Sequence, residues 1–128
     1  MHQLYWILCL FVCSVQSKKV PEAFLNVWDT KTEPYRAGCA KEHSVDLNAA
    51  RNSSEPDDTY SCFVKCVLES VKFFTPEGEF DPLAIGSAIK MLPSDLVKKC
   101  ISDVASETNL CHKAYLGLGC ITDGISEE

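Results

Sequence analysis

The sequence predicts an all-α domain stapled by disulfides, and three observations carry that reading. Apolar residues recur every three to four positions in successive stretches, Gly or Pro separates those stretches, and six cysteines follow an uncharged leader. At 128 residues the chain is one ordinary domain, long enough to bury a core and short enough to gain from covalent staples. Its net charge is −6 and no run of Lys or Arg exceeds two residues, so phosphate backbones and anionic lipid find no basic patch. Nucleic acid is excluded as a partner on that ground.

Residues 1–17 hold no Asp, Glu, Lys or Arg, so all 12 basic and all 18 acidic residues come later. Leu4 to Val15 is an apolar stretch of 12 residues, well short of the ~20 that a membrane-crossing helix needs. It reads as the core of a signal peptide over residues 1–17, cut after Ser17 or, as second choice, after Ser14, with a mature domain over 18–128. No later apolar run is long enough for membrane insertion, so the expected location is secreted and extracellular, where disulfides persist.

Each element has its own signal. Pro21 to about Ala37 is the first helix, with Phe24, Leu25 and Trp28 at helical spacing, and Ser44 to about Asn52 is a weaker, shorter one. Asn52 to Asp58 is a polar loop, in which Asn52 fits a glycosylation triplet and Asp57 or Asp58 can cap the next helix. Thr59 to Phe74 is the strongest helix: Tyr60, Phe63, Val64, Val67, Val71 and Phe74 fall within an arc of about 100°, with Cys62 and Cys66 beside it. Thr75 to Glu79 is a turn, and a hairpin over Val71 to Phe80 competes with the helical reading there. Asp81 and Pro82 start a helix over Leu83 to Leu92, with Ile85, Ile89 and Leu92 on one face and Gly86 a local weakness. Pro93 and Ser94 restart the chain into a stripe of Leu96, Val97, Cys100, Ile101 and Val104. After Thr108 and Asn109 a last helix carries Leu110, Cys111, Ala114, Tyr115, Leu118, Cys120 and Ile121.

The cysteines of the mature chain are Cys39, Cys62, Cys66, Cys100, Cys111 and Cys120, an even number that calls for three disulfides. Cys62 and Cys66, four apart on one helix, hold their Cβ atoms about 5 to 6 Å apart, too far for a disulfide. Cys111 and Cys120 lie on opposite sides of theirs, about 13 Å apart along it, unless Gly117 breaks the helix. These exclusions leave ten of the fifteen pairings, all of which tie the Cys62/Cys66 helix to other parts of the chain. Zinc is not supported, because Cys62 with Cys66 and Cys111 with His112 do not form paired short knuckles.

The gaps between the six cysteines are 22, 3, 33, 10 and 8 residues. That order, with its gaps of three and eight, resembles the six-cysteine framework of insect odorant-binding proteins, the pheromone and general odorant-binding family. Glu77-Gly78-Glu79-Phe80-Asp81 is similar to the turn that often comes after the third family cysteine, and Cys111-His112-Lys113-Ala114-Tyr115 to the family's cysteine, any residue, Lys, Ala, aromatic. The resemblance covers nearly the whole mature chain. It implies about six helices stapled by three disulfides around an internal apolar cavity, with Cys39 bonded to Cys66, Cys62 to Cys111 and Cys100 to Cys120. The tail after the last cysteine is short, Ile121 to Glu128, where many relatives carry a longer one.

The resemblance further implies a soluble carrier that binds small hydrophobic molecules reversibly, such as odorants, pheromones or similar semi-volatile ligands. It needs no cofactor and no metal. A membrane receptor downstream and a monomer or weak homodimer complete the expected partners. Phe74, Phe80, Ile85, Ile89, Leu92, Tyr115 and Leu118 are the candidate ligand-binding residues, because they come from the two central helices, the turn between them and the last helix. Val64, Val97 and Ile101 read instead as packed core. An enzyme is not expected: the chain has no Gly-x-Ser-x-Gly, no His-Glu-x-x-His and no phosphate-binding glycine loop, and paired cysteines leave no thiol nucleophile. The alternative is a secreted disulfide-rich interaction protein on the same fold without an olfactory role, marked by an exposed apolar or strongly charged patch that the sequence does not display.

Overall fold

The computed structural model describes residues 19–46 and 58–126. The expected leader, most of the weak helix over Ser44 to Asn52, Asp57 and the Asn52 triplet lie outside the described residues. Five helices are described: α1 (Glu22–Glu42), α2 (Asp58–Ser70), α3 (Pro82–Ala88), α4 (Ser94–Asp103) and α5 (Leu110–Ile125). The all-α expectation holds, with one helix fewer than the six implied, and no described helix is long and apolar enough to cross a membrane.

Helix α1 runs five residues past its expected end, straight through Pro34. An interior proline removes one backbone donor. Around it, side chains add bonds to carbonyls of the preceding turns: Thr30 Oγ1 donates to Asn26 O, Thr32 Oγ1 to Trp28 O, and Arg36 Nη2 to Asp29 O, each at 2.8 Å. Thr32 is fully buried and doubly satisfied, since its hydroxyl also accepts from Arg36 Nε at 3.0 Å.

Both α1 and α2 end in a left-handed residue that is not glycine, Ser44 at φ 55° and Lys72 at φ 69°. Each closes the last turn in the manner of a Schellman cap, with Val45 N–H donating to Ala40 O (2.8 Å) and Phe73 N–H to Leu68 O (2.9 Å). The second cap ends α2 at Ser70, four residues before the expected Phe74. Beyond it the chain forms the competing hairpin in miniature. Phe74 and Phe80 make a single antiparallel bridge, their rings edge to face at 4.7 Å, and Thr75 N–H donates to Glu79 O and Asp81 N–H to Phe73 O. Gly78 (φ 92°) is required at the tip, because a side chain there would meet both backbone strain and the Leu110 side chain.

Asp81 caps α3 as expected, its Oδ1 accepting from the amides of Leu83 and Ala84 at 3.1 Å each. The helix stops at Ala88 instead of Leu92, consistent with Gly86 inside it and with Pro93, which disfavours helical backbone at residue 92. Ile89 and Leu92 stay buried beyond its end. Pro93 precedes α4, and Asn109 caps α5 through the His112 amide (3.2 Å). Gly117 and Gly119 leave α5 unbroken, and the tail continues that helix to Ile125.

The disulfides join Cys39 to Cys66, Cys62 to Cys111 and Cys100 to Cys120. They link α1 to α2, α2 to α5 and α4 to α5. With partners 27, 49 and 20 positions apart in the sequence, the loop-entropy model assigns each a stabilisation of about 3 to 4 kcal/mol. Helix α2 makes its most extensive packing with α5, and together they form the floor on which the other helices sit. Among the described helices, α3 alone carries no disulfide.

Candidate ligand cavity

The core holds a small apolar cavity of about 20 Å³, partly open to solvent. Phe24 and Trp28 reach it from α1, four residues apart and with stacked rings 6.1 Å between centroids. Leu68 comes from the last turn of α2, and Phe73 and Phe80 from the two sides of the bridged turn. Ile85 on α3 and Ile89 and Leu92 beyond it form a third wall, and Leu118 and Ile121 of α5 complete it. Every described residue of the wall is apolar. Eight of the ten are buried; Trp28 and Leu118 are the two that reach solvent.

Of the seven candidates, Phe80, Ile85, Ile89, Leu92 and Leu118 line this space. Phe74 does not: it is buried behind Phe80 and borders a shallow outer hollow with Thr75, Pro76 and Asp81. Tyr115 is half-buried on α5 and sets its ring edge-on to Tyr60 at 6.1 Å, away from the wall. Val64 and Val97 are buried and lie outside the lining.

The lining residues that the candidate set missed are Phe24, Trp28, Leu68, Phe73 and Ile121. Phe24, Trp28 and Ile121 carried the plain signal of a helical apolar stripe. Phe73 is instructive. A helix continued to Phe74 puts Phe74 on the buried arc and Phe73 about 100° from it. Because α2 stops at Ser70, that register is lost, and the hairpin reading, in which neighbours face opposite ways, is the signal that separates Phe73 from Phe74.

Space for Phe80 is made on the opposite helix. A Cβ at buried Gly117 would overlap the far edge of the Phe80 ring, so only glycine lets that ring lie against α5.

Two polar clusters lie outside the cavity. His112 Nε2 contacts Asp58 Oδ1 at 2.5 Å, an exposed pair joining the starts of α2 and α5. Glu42, His43 and Cys66 bring three possible metal-ligand atoms within 4.8 Å of one another, but the Cys66 sulfur is bonded to Cys39 and offers no thiolate. That leaves two adjacent donors at the end of α1, which is not a closed metal site.

A family model, PBP/GOBP, matches residues 23–123, a span that contains all six cysteines and the whole cavity wall. A search of curated proteins and a search of solved structures return no significant match.

Proposed function

The chain belongs to the PBP/GOBP family of insect pheromone-binding and general odorant-binding proteins, and from that premise we propose that it is a secreted carrier for one small hydrophobic molecule, held in the cavity between α1, the bridged turn, α3 and α5. The observation that carries the reading is the wall itself. Ten apolar side chains from five separate parts of the chain converge on one space, and the disulfides fix most of the frame that presents them.

The ligand's work is binding and release, with no covalent step. The space, about 20 Å³, holds no more than one water-sized group, so uptake of a larger molecule requires a wall to move outward. Helices α1, α2, α4 and α5 are bound to one another covalently, and the segment from the bridged turn through Leu92 is the wall free to yield. Secretion with removal of residues 1–17 suits a chain with three disulfides. Delivery to a membrane receptor, by a monomer or a weak homodimer, belongs to the same proposal.

The test uses a reporter already in place. Of the two tryptophans, Trp6 falls in the leader, so in the secreted protein Trp28 is alone, and it lines the cavity. Titration with a panel of C6 to C15 hydrocarbons, alcohols and esters should change Trp28 fluorescence saturably for some members, with one site per chain. No saturable change across the panel would sink the carrier reading.

A further inference from the structure

We infer that the cavity selects hydrocarbons that lack any hydrogen-bonding group over alcohols and acids of the same carbon skeleton, an inference that rests on the carrier reading above. The wall gives the reason. All its described residues are Phe, Trp, Leu or Ile, and none of them exposes a polar atom to the space. A hydroxyl carried inside would lose its bonds to water and find no replacement, which is costly in any dry apolar site.

The indole N–H of Trp28, the one hydrogen-bonding group on the side chains of the described wall, contributes no surface to the space. The buried Thr32 hydroxyl donates to Trp28 O and accepts from Arg36 Nε. No buried side-chain nitrogen or oxygen among the described residues lacks a partner, so none waits for a ligand. Tyr115, the tyrosine nearest in sequence to Leu118, turns its ring to Tyr60. Expansion of the cavity does not change this chemistry. The movable wall presents Ile85, Ile89 and Leu92 inward, while Ser87 and Lys90 of the same segment are exposed, so drawing it back uncovers more carbon.

Discrimination of this kind is bounded. An apolar pocket rejects an added hydroxyl by up to about 100-fold, and the expected preference is about 10- to 100-fold. Compact ligands test it best, because a long chain could leave its polar end outside at Trp28 and Leu118.

The experiment follows Trp28 fluorescence of the oxidised, secreted protein with two matched pairs, toluene against benzyl alcohol and limonene against perillyl alcohol, each differing by one hydroxyl. The expected result is tighter binding of the hydrocarbon in both pairs, and a smaller ratio in Leu118→Gln, which places an amide at the half-exposed edge of the wall. Equal or tighter binding of the alcohols by the wild type overturns the inference and leaves the carrier reading standing. An unchanged ratio in a Leu118→Gln protein that still binds overturns it too. If no ligand of any class binds saturably, the carrier reading falls and takes the inference with it.

Discussion

A methyl group at position 117 has nowhere to go unless the Phe80 ring gives way, and that ring is held on its other side by Phe74. Gly117→Ala therefore sets two effects against each other. Alanine gains about 1 kcal/mol of helix propensity over glycine, while overpacking a filled core costs about 1 to 3 kcal/mol. The cavity is too small to accept a displaced aromatic edge, so the packing cost should win. The expected outcome is a net loss of up to about 2 kcal/mol in urea unfolding, together with weaker ligand binding by Trp28 fluorescence. A gain of the full helix increment would mean that the Phe80 ring moves without resistance.

Helix α3 presents the opposite case. Gly86 also sits inside a helix, but a Cβ there would meet nothing within 4 Å, so alanine brings propensity with no clash. The element itself is short, seven residues, capped by Asp81 and joined to its neighbours only by packing. A segment of that kind opens on its own before the rest of the molecule. Amides of residues 85–92 should exchange with deuterium faster than those of α2 and α5, and Gly86→Ala should slow them about fivefold while leaving α2 unchanged. Exchange of α3 at the rate of α2 would make it part of the global unit and deny it the part of a movable wall. The same element shows where sequence reading fails. Its capped start was legible in Asp81-Pro82, and its early end was not, because the departure at Ile89 keeps Ile89 and Leu92 buried and so preserves the apolar pattern of a longer helix. Helix α2 misleads similarly: its stop depends on Lys72 adopting a conformation that glycine usually marks, and no glycine stands there.

For the whole molecule, the cysteine frame and the apolar stripes were enough to find the fold, and five of seven candidate side chains do converge. What spacing could not convey was the depth of the collapse. A stripe records which side of a helix is buried, and says nothing of whether the residues there meet each other or surround a void. The stapled frame suggested an open cavity, yet the side chains nearly close it, and the register of the Phe73 to Phe80 turn decides which of the turn's own rings, Phe73, Phe74 and Phe80, do so.

The placement of two bonded cysteines one turn apart on α2 has a consequence for biosynthesis. Cys62 and Cys66 are separated by about 6 Å along the axis and about 40° around it, so exchanging their partners would require Cys39 and Cys111 each to shift by only about one turn along α2, in opposite directions. Cys39–Cys62 with Cys66–Cys111 is thus the nearest covalent isomer to the native set. Oxidation before α2 has docked should trap it, and a thiol catalyst should resolve it through exchange. The chain supplies its own means of telling the two apart. Lys65 stands between the two cysteines, and tryptic cleavage after it puts Cys62 and Cys66 on different peptides. Unreduced peptide maps of protein refolded in air should contain the exchanged pair, and maps of protein refolded with mixed glutathione should contain the native pair alone. Air-oxidised material free of the exchanged pair would show that α2 docks before its sulfurs react.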